Sequence, residues 1–312
     1  MKEIMVTGVN GFVGKHLARE LYSRNLDVVG IGNENPVADE SISHLLSAYF
    51  QFDINDPDGV SKLDLTQVDC VINLAGLAAV GPSFDNPELY MCVNVGVLSV
   101  LGKELLRQNP SARIIAVSSG ALYDPSQEMP LNESSKIIES GSPYAHSKLA
   151  MENYAKELCT RELDCVVVRP FNHIGPGQGL GFLIPDLVDK LKKTDKNNLK
   201  ITVGNIKTVR DYTDVRDIAK AYANLATAKD LNHNLYNVCS GTGLSGEDII
   251  KSLCIALNIN FEKLQLEVDS SLIRPTDPLK IVGNSSLLQS DTGWKPEISI
   301  DKTVKDIVDN LN

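Results

Sequence analysis

Several features that would mark a secreted, metal-binding or membrane protein are scarce in this sequence. The six cysteines contain no CxxC pair and do not cluster with the five histidines. Scattered cysteines are usually small core residues in a reduced compartment, and the pattern argues against a structural zinc site. The first residues predict a strand instead of the apolar segment of a signal peptide, and no apolar run approaches a membrane span. We expect a cytoplasmic protein with no metal and no membrane partner.

Basic surface is also lacking. Lysine and arginine number 30 against 40 acidic residues, which gives a net charge of −10. This balance argues against nucleic acid as a partner, although a few placed arginines could bind a small anion. With 312 residues and 43% hydrophobic content, the chain can form one large domain or two unequal ones.

The amino-terminal stretch carries a more informative pattern. An apolar run at 4–6 predicts a buried strand, and Gly8, Gly11 and Gly14 separate it from apolar residues at helical spacing. Glycine suits a site where a diphosphate approaches the backbone N–H groups of a helix N-terminus. The GxxGxxG spacing therefore indicates a dinucleotide site, with a glycine-rich turn in an ordinary α/β domain as the alternative.

Strands and helices alternate along the first two thirds of the chain. This order predicts an α/β fold, a Rossmann-like doubly wound parallel sheet. Asn86 is the predicted N-cap of the longest helix. Predicted strands cover 26–31, 50–54, 68–75, 112–119, 166–169 and 234–239, and predicted helices cover 86–108, 143–160 and 215–228.

A glycine- and proline-rich loop at 170–181 interrupts the alternation, and short strands at 199–203 and 209–212 fall outside the main sheet pattern. We expect a smaller C-terminal α+β substrate-binding domain. The predicted dinucleotide-binding domain comprises 1–169 and 211–240, and the predicted substrate-binding domain comprises 170–210 and 241–312.

The sequence does not decide whether the dinucleotide carries a 2′-phosphate, that is, whether it is NADP or NAD. In a dinucleotide fold an acid about twenty residues after the glycines binds the ribose and selects NAD. That position is Gly32, which leaves room for a 2′-phosphate. However, no lysine or arginine occurs between Arg24 and Lys62 to pair with one.

Tyr144 and Lys148 are four residues apart, so a helix places them on one face. Ser119 ends a predicted strand whose carboxyl end faces the same cleft. Ketone reduction needs these residue types: a nearby ammonium lowers the pKa of a tyrosine, which is about 10 when free, and a serine hydroxyl can bond the substrate oxygen. A chance tyrosine–lysine pair is the alternative.

Taken together, these motifs resemble those of extended short-chain dehydrogenases/reductases, the nucleotide-sugar epimerase, dehydratase and reductase group. The amino-terminal matches are 7–14, 73–76, 118–123 and Tyr144 with Lys148. Further segments resemble the GDP-mannose 4,6-dehydratases and GDP-4-keto-6-deoxyhexose reductases: 169–178, 203–205, 210–217, 236–241 and 274–277.

The resemblance implies a role for each matching residue. Ser119, Tyr144 and Lys148 would be catalytic, and NADP(H) or NAD(H) would be the cofactor. Substrate would be bound by Ser83, Ser119, Asn172, Arg210 and Arg274. The alternative for the two arginines is a surface ion pair with the neighbouring Asp211 and Asp277. Cofactor would be bound by Gly8, Asn10, Gly11, Phe12, Val13, Gly14, Gly32, Asn33, Asp53, Ile54, Leu74, Ala75, Gly76, Tyr144, Lys148, Phe171 and His173.

One departure narrows the activity. Dehydratases of this group carry an acid just after the strand-end hydroxyl, where this sequence has Gly120 and Ala121. Glu128 and Glu133 lie farther along and would reach the site only by folding back. The resemblance therefore implies NAD(P)H-dependent reduction of the C4 ketone of a GDP- or dTDP-linked 4-keto-6-deoxyhexose, in deoxysugar biosynthesis for surface polysaccharide.

Two other functions stay open. The 77–83 stretch resembles the loop of UDP-sugar 4-epimerases, which retain a tightly bound NAD. A non-catalytic nucleotide-binding regulator is less favoured, because the tyrosine and lysine are intact. The resemblance also implies a homodimer through a four-helix bundle of 86–108 and 143–160. Met91, Val95 and Leu98 are compatible with that bundle and equally with packing on the sheet.

Overall fold

The computed structural model describes residues 2–34, 40–195, 198–273 and 278–310. Its strands are β1 (Glu3–Thr7), β2 (Asp27–Gly32), β3 (Ala48–Gln51), β4 (Val68–Asn73), β5 (Arg113–Val117), β6 (Asp164–Pro170), β7 (Asn172–Ile174), β8 (Lys200–Val203), β9 (Val209–Asp214), β10 (Leu235–Val238), β11 (Gly243–Ser245), β12 (Gln265–Val268) and β13 (Lys280–Ile281). Its helices are α1 (Phe12–Ser23), α2 (Glu40–Ser43), α3 (Pro57–Ser61), α4 (Pro87–Gln108), α5 (Pro143–Thr160), α6 (Leu183–Lys193), α7 (Val215–Thr227), α8 (Gly246–Ala256), α9 (Ser286–Thr292) and α10 (Ile300–Asn310).

Seven of these strands form one parallel sheet in the order β10-β6-β5-β4-β1-β2-β3. The order reverses between β1 and β4, and in such sheets ligands bind outside the carboxyl ends of the strands at that point. The predicted Rossmann-like doubly wound sheet is therefore confirmed.

Each face of this sheet is covered by helices because alternate strand residues point to opposite sides. In β1, Ile4 and Val6 pack with residues of α1 and α7. Met5, between them, packs with residues of α4 and α5. Every fully buried aliphatic side chain of this kind contributes about 2 kcal/mol to folding, so both layers are held to the sheet by apolar burial.

Three predicted strands are shorter in the structure. The predicted strands at 50–54, 68–75 and 112–119 end at residues 51, 73 and 117. The apolar pattern continues past those points, but the pairing does not, because the register of β4 with β1 and β5 ends at Asn73. The candidate residues at 53–54, 74–76 and 119 consequently lie in the loops beyond the strand ends.

Helix α4 corrects two predictions. Asn86 occupies its N-cap position, but its side chain makes no capping hydrogen bond. The helix is also long and apolar enough to cross a membrane by length and composition alone, although no such run was expected. Val97, Leu98 and Leu101 are buried in the core beneath the sheet, so its apolar character is that of a core helix. Leu98 therefore packs on the sheet.

The remaining strands lie outside the main sheet, as predicted for 199–203 and 209–212. Strand β9 pairs with β7, β11 and β13, and β8 pairs with β12. Residues of α6, α8 and α10 form a separate core there.

The predicted domain boundaries do not follow these packings at two places. Residues 211–214, assigned to the dinucleotide-binding domain, lie in β9. Leu288 and Trp294, assigned to the other domain, are buried in the core of the large sheet. Strand pairing and helix docking at these places depend on contacts between distant parts of the chain, which an apolar pattern does not reveal. The division into two domains stays a prediction.

Candidate active site

The glycine turn leaves no space for side chains. Gly8 has a φ of +64°, a conformation that other residues rarely adopt. A Cβ on Gly14 would lie 2.4 Å from the carbonyl oxygen of Gly8 and 2.6 Å from that of Val9. Gly11 is the N-cap of α1 and offers no side chain to its first turn. The N-terminus of α1 is thus a backbone cradle suited to a diphosphate.

A pair that the sequence analysis missed ties the two strands at the point where the strand order reverses. The hydroxyl of Thr7 donates to the side-chain oxygen of Asn73 over 2.7 Å. The same hydroxyl accepts from the backbone N–H of Ala75 at 3.0 Å. Leu74 and Ala75 are therefore held against the glycine turn, where a Cβ on Gly8 would lie 3.1 Å from Ala75 N.

The adenosine end is closed to an acid. A Cβ on Gly32 would lie 2.6 Å from the hydroxyl of Tyr49, which donates to the carbonyl of Glu34 at 2.9 Å. Nearby, the side-chain oxygen of Asn10 is buried without a hydrogen-bond partner among the described residues. This unpaired acceptor and the glycine cradle fit a bound dinucleotide.

The other residues predicted at the adenosine end are differently placed. Asn33 is exposed and Ile54 is buried. The carboxylate of Asp53 accepts from the backbone and side-chain N–H groups of Asn55, at 2.9 and 3.1 Å.

Helix α5 brings the predicted catalytic residues together. Ser142 caps it by accepting from the N–H of Ala145 at 3.2 Å, and Tyr144 and Lys148 follow on one face. Lys148 Nζ donates to the carbonyl of Val117 at 2.8 Å, at the end of β5. On its other side the ammonium approaches Gly76, since a Cβ there would lie 3.6 Å from Nζ.

The pKa values of this pair differ from the expected pattern. Burial raises the pKa of Tyr144, while the Ser119 hydroxyl acts in the opposite direction. Lys148 was expected to lower the pKa of Tyr144, but removal of the phenol from water outweighs any such effect. Burial lowers the pKa of Lys148 to about 8. Near neutral pH, Tyr144 is therefore a protonated phenol beside a mostly charged lysine.

Asn94 is a second residue that the sequence analysis missed. It is buried in α4, and its side chain accepts from Leu77 N at 2.9 Å and donates to Ser147 Oγ at 2.9 Å. It thereby fixes the loop after β4 to the helix that carries Tyr144. A buried amide in an otherwise apolar helix was the signal that could have identified it.

The loop after β6 closes the opposite side of the site. Phe171 is buried and stacks on Tyr123, with ring centroids 6.1 Å apart. His173 stacks on Phe12 of α1 at 6.1 Å and lies 3.1 Å, through Nδ1, from the carbonyl of Phe171. Burial lowers the pKa of His173, so the imidazole beside the glycine turn is neutral near pH 7.

Neither glutamate of the described 118–133 loop is hydrogen-bonded to a predicted catalytic residue. A Cβ on Gly120 would lie 3.0 Å from the ring of Phe171, so an acidic side chain at this position would need the ring to move. Glu133 accepts from the backbone N–H of Asn237 at 2.7 Å, on the edge strand of the sheet. Glu128 is exposed. The fold-back considered for these glutamates does not occur.

Of the residues predicted to bind substrate, Asn172 and Arg210 lie on neighbouring strands. Asn172 is exposed on β7 opposite Tyr212 of β9, and Arg210 is two residues earlier on β9, half-buried. The hydroxyl of Ser83 is turned to the carbonyl of Val80 at 2.6 Å. Arg274 lies outside the described residues, as does Asp277.

Asp211, the acid next to Arg210 in the sequence, is hydrogen-bonded to backbone N–H groups. This carboxylate is fully buried. It accepts from the N–H groups of Ser240 and Gly241, both at 2.9 Å, and of Gly283 at 3.2 Å. Its role is to fasten the 240–241 and 283 segments to β9, and the alternative of a surface ion pair with Arg210 is not supported.

Known proteins resemble this chain over almost its whole length. The family model of GDP-mannose 4,6 dehydratase matches residues 5–307. GDP-6-deoxy-D-mannose reductase from Pseudomonas aeruginosa is 32% identical over 98% of this chain and 96% of its own length. Two solved structures cover 99% of this chain and 98% of their own. RMD from Pseudomonas aeruginosa with NADPH has a TM-score of 0.84 and 29% identity. UDP-glucose 4-epimerase from Bifidobacterium longum, with NAD+ and UDP, has a TM-score of 0.87 and 25% identity.

Proposed function

The chain belongs to the GDP-mannose 4,6-dehydratase family, and we propose that it is the NAD(P)H-dependent reductase of a nucleotide-linked 4-keto-6-deoxyhexose. The observation that carries this proposal is Tyr144, protonated and next to Lys148, in a site where Gly120 and Ala121 replace the dehydratase acid. The sequence similarity to GDP-6-deoxy-D-mannose reductase supports GDP-4-keto-6-deoxymannose as the substrate, with a dTDP-linked analogue as the second choice.

Cofactor binding is assigned to the glycine cradle and its surroundings. The residues around α1 would hold the diphosphate, Gly32 and Asn33 the adenosine ribose, and His173 with Phe171 the nicotinamide side. When bound, the nicotinamide cofactor supplies a hydride to the ketone carbon. Because position 32 bears no side chain, it carries no acid that would reject a 2′-phosphate. Both NADPH and NADH are therefore candidate reductants.

The protein's own residues complete the reduction. Ser119 donates a hydrogen bond to the C4 oxygen and orients the ketone. Tyr144 then gives its proton to that oxygen as charge develops there, which yields the alcohol. Its raised pKa keeps the phenol in the protonated form from which this step starts. Lys148 remains charged and stabilises the phenolate left behind.

Substrate binding is assigned to Asn172, Arg210 and Arg274, with Ser83 near the sugar. Arginine forks match diphosphate oxygens. Arg210 and Asn172 lie on the neighbouring strands β9 and β7, which supports a shared role.

The test is a panel of GDP-, dTDP-, CDP- and UDP-linked 4-keto-6-deoxy sugars, each with NADPH and NADH. We expect net oxidation of the cofactor with the GDP-linked ketone, with product stereochemistry read by NMR. No consumption with any member would refute the proposal.

A 4-epimerase is the second candidate, supported by the likeness to the Bifidobacterium longum enzyme. An epimerase retains its cofactor through a complete cycle. Stoichiometric NAD that survives gel filtration, with interconversion of 4-epimers and no net oxidation of added NADPH, would favour it.

Location and assembly are inferred from the resemblance. We propose a cytoplasmic homodimer that packs α4 and α5 of two copies into a four-helix bundle. Leu89 and Met91 of α4 are 51% and 42% exposed, so this helix leaves large apolar side chains outside the core. Light scattering measures the mass directly, and a monomer at micromolar concentration would exclude the bundle.

A further inference from the structure

Helix α5 carries a third ionisable residue that the proposed chemistry does not use. Tyr144, Lys148 and Glu152 are four residues apart and share one face of the helix. Glu152 is 1% exposed. A buried carboxylate is costly unless it is paired, so its partners indicate why it is there.

Those partners are one hydroxyl and one guanidinium. Ser118 Oγ donates to Glu152 Oε1 at 2.5 Å. Arg169 donates from Nε to Oε1 at 2.8 Å and from Nη2 to Oε2 at 2.6 Å. The guanidinium in turn lies 4.8 Å above the centroid of the Tyr123 ring. A forked, buried pair of this kind gives both carboxylate oxygens a hydrogen-bond partner.

The helix face matches the end of β5 residue by residue. The carbonyl of Val117 accepts a hydrogen bond from Lys148. The hydroxyl of Ser118 donates to Glu152. The hydroxyl of Ser119 acts to lower the pKa of Tyr144. Glu152 therefore anchors Ser118, which lies between Val117, the acceptor of Lys148, and Ser119.

The charge of Glu152 also reaches Lys148. Burial lowers the pKa of Lys148 to about 8, and the carboxylate of Glu152 raises it against that trend. The Arg169 guanidinium is paired with Glu152 itself, and the other groups that the described part of the chain brings to this region carry no charge near neutral pH. They are the phenols of Tyr144 and Tyr90, whose pKa values burial raises, and the amide of Asn94 beside Gly76.

We propose that Glu152 is a positioning residue that acts through Lys148. It holds residues 117–119 in register with α5 and keeps the lysine protonated at the pH where the enzyme works. The inference rests on the proposed function for the catalytic role of Lys148.

The direct test is the titration of Lys148 in the protein without substrate. NMR of 15N-lysine-labelled protein follows the amine resonance, assigned by its loss in Lys148→Arg. We expect Glu152→Gln to lower the midpoint by about one pH unit, since the loss of an opposite charge one helical turn away disfavours the protonated lysine. An unchanged midpoint would overturn the proposal.

The matched control is Glu104→Gln. Glu104 is also a buried glutamate paired with an arginine, since its Oε2 accepts from Arg107 Nε at 2.8 Å, but it lies at the far end of α4. Its loss should leave the Lys148 midpoint unchanged.

Activity gives an independent readout. A merely structural glutamate would lower kcat/KM equally at every pH. If Glu152 acts through Lys148, its loss instead moves the alkaline limb of the kcat/KM profile to lower pH, because the lysine then loses its proton at a lower pH. We expect the limb to move by the same amount as the NMR midpoint. Absence of turnover in the wild type would refute the proposed function and leave the titration to decide the role of Glu152.

Glu152→Gln alone leaves the Arg169 guanidinium buried and unpaired, which can prevent folding. The double substitution Glu152→Gln with Arg169→Gln removes both charges and leaves two amides that can bond each other. A smaller fall of the Lys148 midpoint is expected in the double variant, because the positive charge of Arg169, which disfavours protonation of the lysine, is lost together with the carboxylate. An unchanged midpoint in both variants would overturn the proposal.

Discussion

At the scale of single residues, the site depends on a phenol and an amine that are both almost out of water. Tyr144 and Lys148 are 7% and 8% exposed. Burial opposes charge on either group, so it raises the pKa of Tyr144 and lowers that of Lys148. The phenol is consequently protonated near neutral pH, which is the form that the reducing direction starts from.

Tyr144→Phe tests this assignment. We expect kcat to fall by at least about 100-fold, the usual contribution of a general acid, while the dissociation constant for NADPH stays within a few-fold. Stopped-flow turnover and fluorescence titration measure the two quantities.

The matched control is Tyr154→Phe, on the same helix, which loses one hydrogen bond of 3.3 Å from Ser99 and should keep its rate. Near-normal turnover by Tyr144→Phe would remove this tyrosine from the mechanism.

Sequence motifs pointed to the proposed catalytic residues better than to the residues that support them. Tyr144, Lys148 and Ser119 were found from types and spacing. Thr7 and Asn94 were not, because their roles depend on bonds to residues 66 and 53 positions away along the chain. The pKa of Tyr144 was misjudged for the same reason: burial is a tertiary property.

At the scale of elements, two helices have similar amino-terminal sequences and different caps. Both begin with a polar residue followed by proline. In α5 the Ser142 hydroxyl accepts from Ala145 N, whereas in α4 the Asn86 side chain makes no capping bond. The N-cap backbone explains the difference, since Asn86 has a ψ of 57° and Ser142 the extended ψ of 154° that capping requires.

Ser142→Ala should therefore destabilise the protein by about 1 kcal/mol, and Asn86→Ala by much less. Urea unfolding followed by circular dichroism measures both. Equal losses from the two substitutions would contradict the assignment of caps.

Element bounds show the same limit of sequence reasoning. The seven strands and the long helices of the large sheet were predicted in the correct order, since apolar period and glycine position determine it. The short helices α2 and α3 were missed. The ends of β3, β4 and β5 were placed too far along the chain, because a strand stops where its neighbour stops pairing.

At the scale of the whole molecule, the C-terminal segment returns to the large sheet after forming part of the second region. Trp294, the only tryptophan in the sequence, is 2% exposed. Its indole N–H donates to the carbonyl of Asp217 in α7 at 2.8 Å. Leu288 is buried in the same core, so the two regions are joined by more than the chain between them.

This packing predicts that tryptophan fluorescence and far-UV circular dichroism report the same urea midpoint. Leu288→Ala should lower both midpoints together, at a cost of about 2–5 kcal/mol. The exposed Leu279→Ala is the control and should change neither. A fluorescence change at lower urea than the dichroism change would mean that the segment detaches first.

The buried pair of Glu152 and Arg169 has a further consequence for the protein's evolutionary history. Losing either residue alone leaves the other charge buried without a partner, which costs more than losing both. Single changes at these positions should therefore be purged, and paired changes tolerated. Among relatives of this chain we expect the two positions to vary together, as a unit that links the catalytic helix to the neighbouring strand.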